Sequence, residues 1–168
     1  MSVPLRPMRP EDLPVLVRLT AGTGFFRPEE VVVAEEVLTD SATKGAQSEY
    51  LTYVAANGRG VVGYVCFGAT PLTRGTWDIY WIAVDPRHQG QGIGKQLMAF
   101  AEEEIQRHGG RLVLAETSSQ DLYEPTRQFY LALAYHEVSR IPDFYDVGDA
   151  RVTFAKFLPS GGDTAMAI

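Results

Sequence analysis

The apolar positions of the chain follow two rhythms, and their succession predicts the architecture. Val3 to Met8 reads as a short edge strand broken by prolines. Leu13, Leu16, Val17 and Leu19 then recur at helical spacing after Pro10-Glu11-Asp12, and Gly22 and Gly24 close that segment. Pro28 opens a second helix in which Val33 pairs with Val37 and Ala34 with Leu38, while Glu29, Glu30, Glu35 and Glu36 turn outward. Asp40 to Ser48 reads as a polar loop. Beyond it the rhythm changes to strands: Tyr50 to Ala56 and Val61 to Ala69 flank Asn57-Gly58 as an antiparallel hairpin, and Thr76 to Val84 adds a third strand after the loop Thr70 to Gly75.

Helical spacing returns with Ile93, Leu97, Ala101 and Ile105, joined by Met98, on one face. Glu102, Glu103, Gln106 and Arg107 solvate the other, and Gly109-Gly110 supplies a left-handed stop. Leu112 to Ala115 follows as a short buried strand, parallel to its predecessor because a helix joins them, so its ligand cleft lies at the strands' carboxyl ends. Pro125 marks the first turn of a last helix that carries Phe129, Leu133 and, on a neighbouring face, Tyr130. His136 to Ile141 and Ala150 to Leu158 read as a closing antiparallel pair, joined by Pro142 to Asp149. The prediction is a single mixed α/β (α+β) domain over 1–158, and a disordered tail over 159–168, where small residues lack any period.

Composition narrows the function. The 168 residues carry 45% hydrophobic and 21% charged positions and a net charge of -6, as in a globular chain of ordinary core size. That acidic balance argues against nucleic acid as a partner and favours a cationic amine. No apolar run reaches the length of a signal peptide or a membrane span, which predicts a cytoplasmic protein without a membrane partner. The single Cys66 lies inside an apolar strand and reads as a buried thiol, and the histidines show no metal-ligand spacing.

Chemistry concentrates between Val84 and Lys95. Asp85-Pro86 forces a turn after the strand, and Gly90, Gly92 and Gly94 let successive backbone N–H groups face one concavity where the helix begins. Such a helix start binds a pyrophosphate. A nucleotide P-loop is excluded, because Gln89 stands where its first glycine belongs and Gln96 where its hydroxyl belongs. A dinucleotide fingerprint fails on spacing and on its place past mid-chain.

The loop resembles the acyl-CoA signature of the GNAT superfamily of N-acetyltransferases, Gln or Arg-x-x-Gly-x-Gly or Ala, met by Gln89, Gly92 and Gly94. Phe129-Tyr130 followed by Ala134-Tyr135 stands where that family usually shows Phe-Tyr-x-x-x-Gly-Phe or Tyr, and the likeness runs from Val3 to Leu158. It implies a mixed, mostly antiparallel sheet of about seven strands with about four helices, the fourth and fifth strands parallel and split around acyl-CoA. It further implies direct transfer of acetyl from acetyl-CoA to a primary amine of a small molecule or peptide in a ternary complex, and it allows a homodimer. A non-catalytic acyl-CoA sensor of the same fold is the alternative.

Residue by residue, the resemblance assigns the thioester and pantetheine to backbone groups of Ile82, Ala83 and Val84. The pyrophosphate falls to Gln89, Gly90, Gln91, Gly92, Ile93, Gly94 and Lys95. Tyr130 matches the tyrosine that protonates the departing thiolate. Many members place an asparagine seven residues earlier; Tyr123 stands there, which passes the pantetheine contact to Ser118, Ser119 or Arg127. Asp78, six residues before Val84, matches the place of a catalytic Glu; flanking aromatics should desolvate it, and its shorter reach calls for a bridging water. Glu116 is the competing base. Phe25, Phe26, Tyr80, Phe144 and Tyr145 are expected to line the acceptor pocket, where rings and carboxylates would hold an ammonium.

Overall fold

The computed structural model describes residues 2–159. Its elements are β1 (Leu5–Pro7), α1 (Leu13–Gly22), α2 (Pro28–Lys44), β2 (Leu51–Asn57), β3 (Gly60–Ala69), β4 (Thr76–Val84), α3 (Ile93–Arg107), β5 (Leu112–Ser118), α4 (Glu124–Ala132), β6 (His136–Asp146) and β7 (Asp149–Phe157). They build two compact units. The first holds the residues up to Gly68 together with Ile79–Ala101; the second holds Ala69–Asp78 and the residues from Glu102 onward.

In the first unit the strands neighbour one another in the order β1-β2-β3-β4, with β2 antiparallel to both β1 and β3. Alternation along β2 and β3 gives the sheet two apolar faces. Against one, Leu16 and Leu19 of α1 and Leu38 of α2 bury with Val54, Tyr64 and Cys66. Each of the leucines and Val54 contributes about 1.5–3 kcal/mol by leaving water. The Thr20 hydroxyl ties α1 to the sheet through Tyr64, and burial pushes the Cys66 thiol up to about 12, so Cys66 is inert at neutral pH. Against the other face lies α3. A Cβ on Gly63 would sit 3.3 Å from Leu97 and 3.4 Å from Ile93, so a glycine there sets how closely the helix seats.

The predicted boundary of α2 requires correction. The helix continues through the expected polar loop to Lys44, because Ser41 is buried with its hydroxyl on the Tyr50 carbonyl at 2.7 Å, and Lys44 pairs with Asp40 one turn back. The buried stripe is Ala34, Leu38 and Ser41, and Val33 faces solvent.

In the second unit β7 pairs antiparallel with β5 on one side and β6 on the other. Val113, Ala115, Val152 and Phe154 bury on the face that α4 covers with Tyr130. The register sets Glu116 opposite Thr153 and Ser118 opposite Arg151, and strand alternation turns these four to the reverse face. Beneath α4, Glu102 accepts the Tyr135 hydroxyl at 2.9 Å and an ammonium hydrogen of Lys156 at 2.9 Å.

Two expected boundaries move here as well. β5 runs on to Ser118 because its ladder with β7 continues to Arg151. The segment Pro142 to Asp149, expected as a loop, belongs to β6 as far as Asp146, so Phe144 and Tyr145 are strand residues. Among the described residues β6 pairs on one side only, and such an edge tolerates Pro142 and the register shift between Ile141 and Asp146. The tail expected to be disordered lies, apart from Pro159, outside the described residues. Among those described, no helix is long and apolar enough to cross a membrane.

Candidate active site

The glycine loop begins where β4 delivers Asp85, a 6% exposed carboxylate at the start of a short turn. Its backbone N–H donates to the Val62 carbonyl at 2.8 Å, and its Oδ1 accepts the Arg87 backbone N–H at 2.9 Å. The Arg87 guanidinium closes on Oδ2 at 2.7 Å. Those bonds, the guanidinium first, hold the Asp85 carboxyl down at about 2 and fix the turn from which the cradle departs.

Gly90 and Gly92 then adopt φ of 77° and 78°, a region that L side chains avoid. A Cβ at either would meet nothing within 4 Å, so the space in front of the loop is open. The first intrahelical bond of α3 runs from Gln96 N to Gly92 O at 3.0 Å. The N–H groups of Ile93, Gly94 and Lys95 therefore precede the helical ladder and face that space with the positive end of a 15-residue helix. Gln89 is exposed beside them, and Lys95 adds an exposed cation. Of the strand residues assigned to the thioester, Ala83 is buried and Ile82 and Val84 are half-buried.

In the second unit Tyr130 is 4% exposed, with ring centroids 5.5 Å from Phe129, 5.6 Å from Tyr135 and 5.7 Å from Phe154. Burial raises its hydroxyl above the tyrosine range, so the phenol is neutral at working pH. Its position follows from how α4 ends. Tyr135 N donates to Tyr130 O and Ala134 N to Leu131 O, both at 3.1 Å, the two bonds of a Schellman cap. Ala134 supplies the required left-handed residue at φ 66°.

Ser118, Tyr123 and Arg127 gather at the corner between β5 and α4. The Ser118 hydroxyl donates to Asp149, and the Arg127 guanidinium donates to the carbonyls of Ser118 at 2.8 Å and Gln120 at 2.9 Å. Asp78 is half-buried and accepts the Thr70 hydroxyl at 2.6 Å. Glu116 is exposed on β5 with Arg151 at 3.9 Å, and the Arg151 guanidinium lies 4.5 Å over the Phe144 ring. Phe25 and Phe26 are half-buried between α1 and α2, and Tyr80 packs edge-on to Tyr50 at 5.3 Å. Arg151 escaped sequence reasoning, since a lone arginine alternating with apolar residues along a strand carries no motif.

The family model for an acetyltransferase (GNAT) domain matches residues 48–137. A protein from Desulfovibrio desulfuricans assigned to the GNAT family of acetyltransferases is 37% identical over 93% of this chain and 99% of its own, with a TM-score of 0.89. The chain belongs to the GNAT acetyltransferase family. Among the described residues, the mixed seven-stranded sheet and four α-helices match that family's fold. More remote GNAT-fold structures include an aminoglycoside 6'-N-acetyltransferase complexed with coenzyme A, 19% identical over 93% of this chain and 98% of its own at a TM-score of 0.71. The ribosomal-protein-S18-alanine N-acetyltransferase from Escherichia coli is 16% identical over 96% and 97%, with a TM-score of 0.73. No curated protein matches the chain in sequence.

GNAT enzymes use acetyl-CoA, and the residues present fit it. The loop of Gly90 and Gly92 has left-handed glycines, open space before it and unpaired helix-start donors, all of which a pyrophosphate requires. Among the described residues, no group of three His, Cys, Asp or Glu is placed to hold a metal.

Proposed function

We propose that this N-acetyltransferase moves the acetyl group of acetyl-CoA directly to a primary amine of a small molecule or peptide, with both substrates bound together. The observation that carries the reading is the cradle itself, a start of α3 whose glycine conformations serve no packing need and leave room for an anion. Acetyl-CoA supplies an activated thioester. The chain supplies position and proton handling: Gln89 to Lys95 anchor the pyrophosphate, and the main chain of Ile82 to Val84 orients the carbonyl and pantetheine, with Ser118, Tyr123 and Arg127 at the pantetheine's side.

Asp78, fixed by Thr70, accepts the amine proton through a water, with Glu116 as the competing base. Tyr130 keeps its proton until the thiolate departs, a role that burial of its hydroxyl favours. Phe25, Phe26, Tyr80, Phe144 and Tyr145 wall the acceptor side.

The test is thiol release from acetyl-CoA across a panel of amines, amino acids and short peptides. The reading expects saturable turnover with at least one primary amine. Acetyl-CoA binding without thiol release from any amine would instead make the protein an acyl-CoA sensor.

A further inference from the structure

The reverse face of β5 and β7, the one that α4 does not cover, holds the half-buried cation Arg151. The guanidinium carbon of Arg151 lies 4.5 Å from the centroid of the Phe144 ring, over its face, where cation and ring attract. Its nearest carboxylate, Glu116, stands 3.9 Å away, beyond hydrogen-bond reach. Among the described residues the guanidinium makes no hydrogen bond, and its Nε is buried without a partner. Two residues along the same strand face, Thr153 is 7% exposed, and its hydroxyl is likewise buried and unpartnered. Buried donors left unpaired are rare and costly, and here two lie side by side on one face.

We propose that Arg151 is a specificity-determining residue that binds a carboxylate of the acceptor, and that the acceptor is therefore an amino acid or a similar small amino-carboxylate. This rests on the acetyl-transfer reading above and deepens it. A guanidinium offers a planar fork of donors, and a carboxylate matches that fork with two parallel hydrogen bonds. The Phe144 ring already carries this cation, so it supports an anion-binding group instead of holding the substrate ammonium directly. Glu116 is half-exposed beside the arginine and receives the substrate's own ammonium, so the pair of opposite charges reads both ends of a zwitterion. In the transfer, the amine nitrogen bonds to the acetyl carbon as the carbon–sulfur bond breaks. Of the two protons that the ammonium loses, one ends on the sulfur and one in water.

The test offers alanine, methionine and phenylalanine as acceptors, each beside its amide, to the wild type and to Arg151→Gln, with thiol release as the readout. In parallel, nitrogen-15 NMR follows the Arg151 Nε–H while N-acetylphenylalanine or its amide is titrated. The wild type should prefer at least one acid over its amide by roughly tenfold to a hundredfold in kcat/KM, the worth of charge-assisted hydrogen bonds. Arg151→Gln should erase that preference by lowering the acid's kcat/KM relative to the amide's. The Nε–H resonance should move saturably with the carboxylate alone. Equal use of acid and amide, an equal loss for both in the variant, or an unmoved resonance would overturn the proposal. Absence of thiol release from every one of these acids and amides would overturn the amino-acid acceptor, whereas the transfer reading fails only if the wider amine panel is inert as well.

Discussion

Ala134 is the residue whose replacement should make this protein more stable. It occupies φ 66° in the cap of α4, where Tyr135 N and Ala134 N close back on Tyr130 O and Leu131 O. A left-handed conformation costs an L residue about 1–2 kcal/mol, which glycine avoids. Glycine returns about 0.5–1 kcal/mol of this through its greater freedom in the unfolded chain. The net gain from Ala134→Gly is about 0.5–1 kcal/mol. For a chain of this size, at about 2–4 °C per kcal/mol, the melting temperature should rise by about 1–4 °C. Differential scanning calorimetry on the two proteins at one concentration measures it. An unchanged or lowered melting temperature would refute the argument that the cap demands a left-handed residue.

Gly68→Ala should do the reverse, because its Cβ would lie 2.3 Å from the Glu49 carbonyl oxygen and 3.0 Å from the Tyr80 ring. A loss of about 1–3 kcal/mol is expected from such overpacking, read as a lowered urea midpoint at constant slope. Asp85 should contribute stability with a definite pH window. Its folded value of about 2 lies below the free carboxylate's about 3.9, so the contribution is complete above about pH 4 and is lost as the pH falls toward 2. The stability gap between wild type and Asp85→Asn should accordingly close across that interval; a gap independent of pH would contradict the Arg87 pairing. Tyr130→Phe should lower kcat by roughly tenfold or more with little change in the KM for acetyl-CoA, because the proposed role uses its proton only as the thiolate leaves. Wild-type turnover, with chemistry limiting the rate, would reduce Tyr130 to packing.

The sequence made the shape of the glycine loop legible because glycine spacing after an Asp-Pro turn reports backbone conformation directly, and Gly90 and Gly92 do take left-handed φ. α3 was legible for the same kind of reason: one clean apolar face and a Gly109-Gly110 stop leave little choice. Where local pattern and tertiary context disagree, the sequence misleads. Ser41 is a polar residue in a polar stretch, yet it is buried and carries α2 a further turn and more, because its hydroxyl finds the Tyr50 carbonyl. Pro142 reads as a strand breaker, yet on an edge its missing donor costs nothing to the ladder. Arg151 could not be singled out at all, since its meaning comes from Phe144 and Glu116, which lie on other strands.

The central claim is that the loop of Gly90 and Gly92 at the start of α3 binds the pyrophosphate of acetyl-CoA. Isothermal titration of acetyl-CoA into the wild type and into Gly92→Val tests it most directly. At φ 78° a valine is strained, and its side chain would enter the open space before the helix. One saturable site in the wild type, lost or weakened at least about a hundredfold in a Gly92→Val protein that still melts cooperatively, is the predicted result. Equal affinity in the two proteins would contradict it.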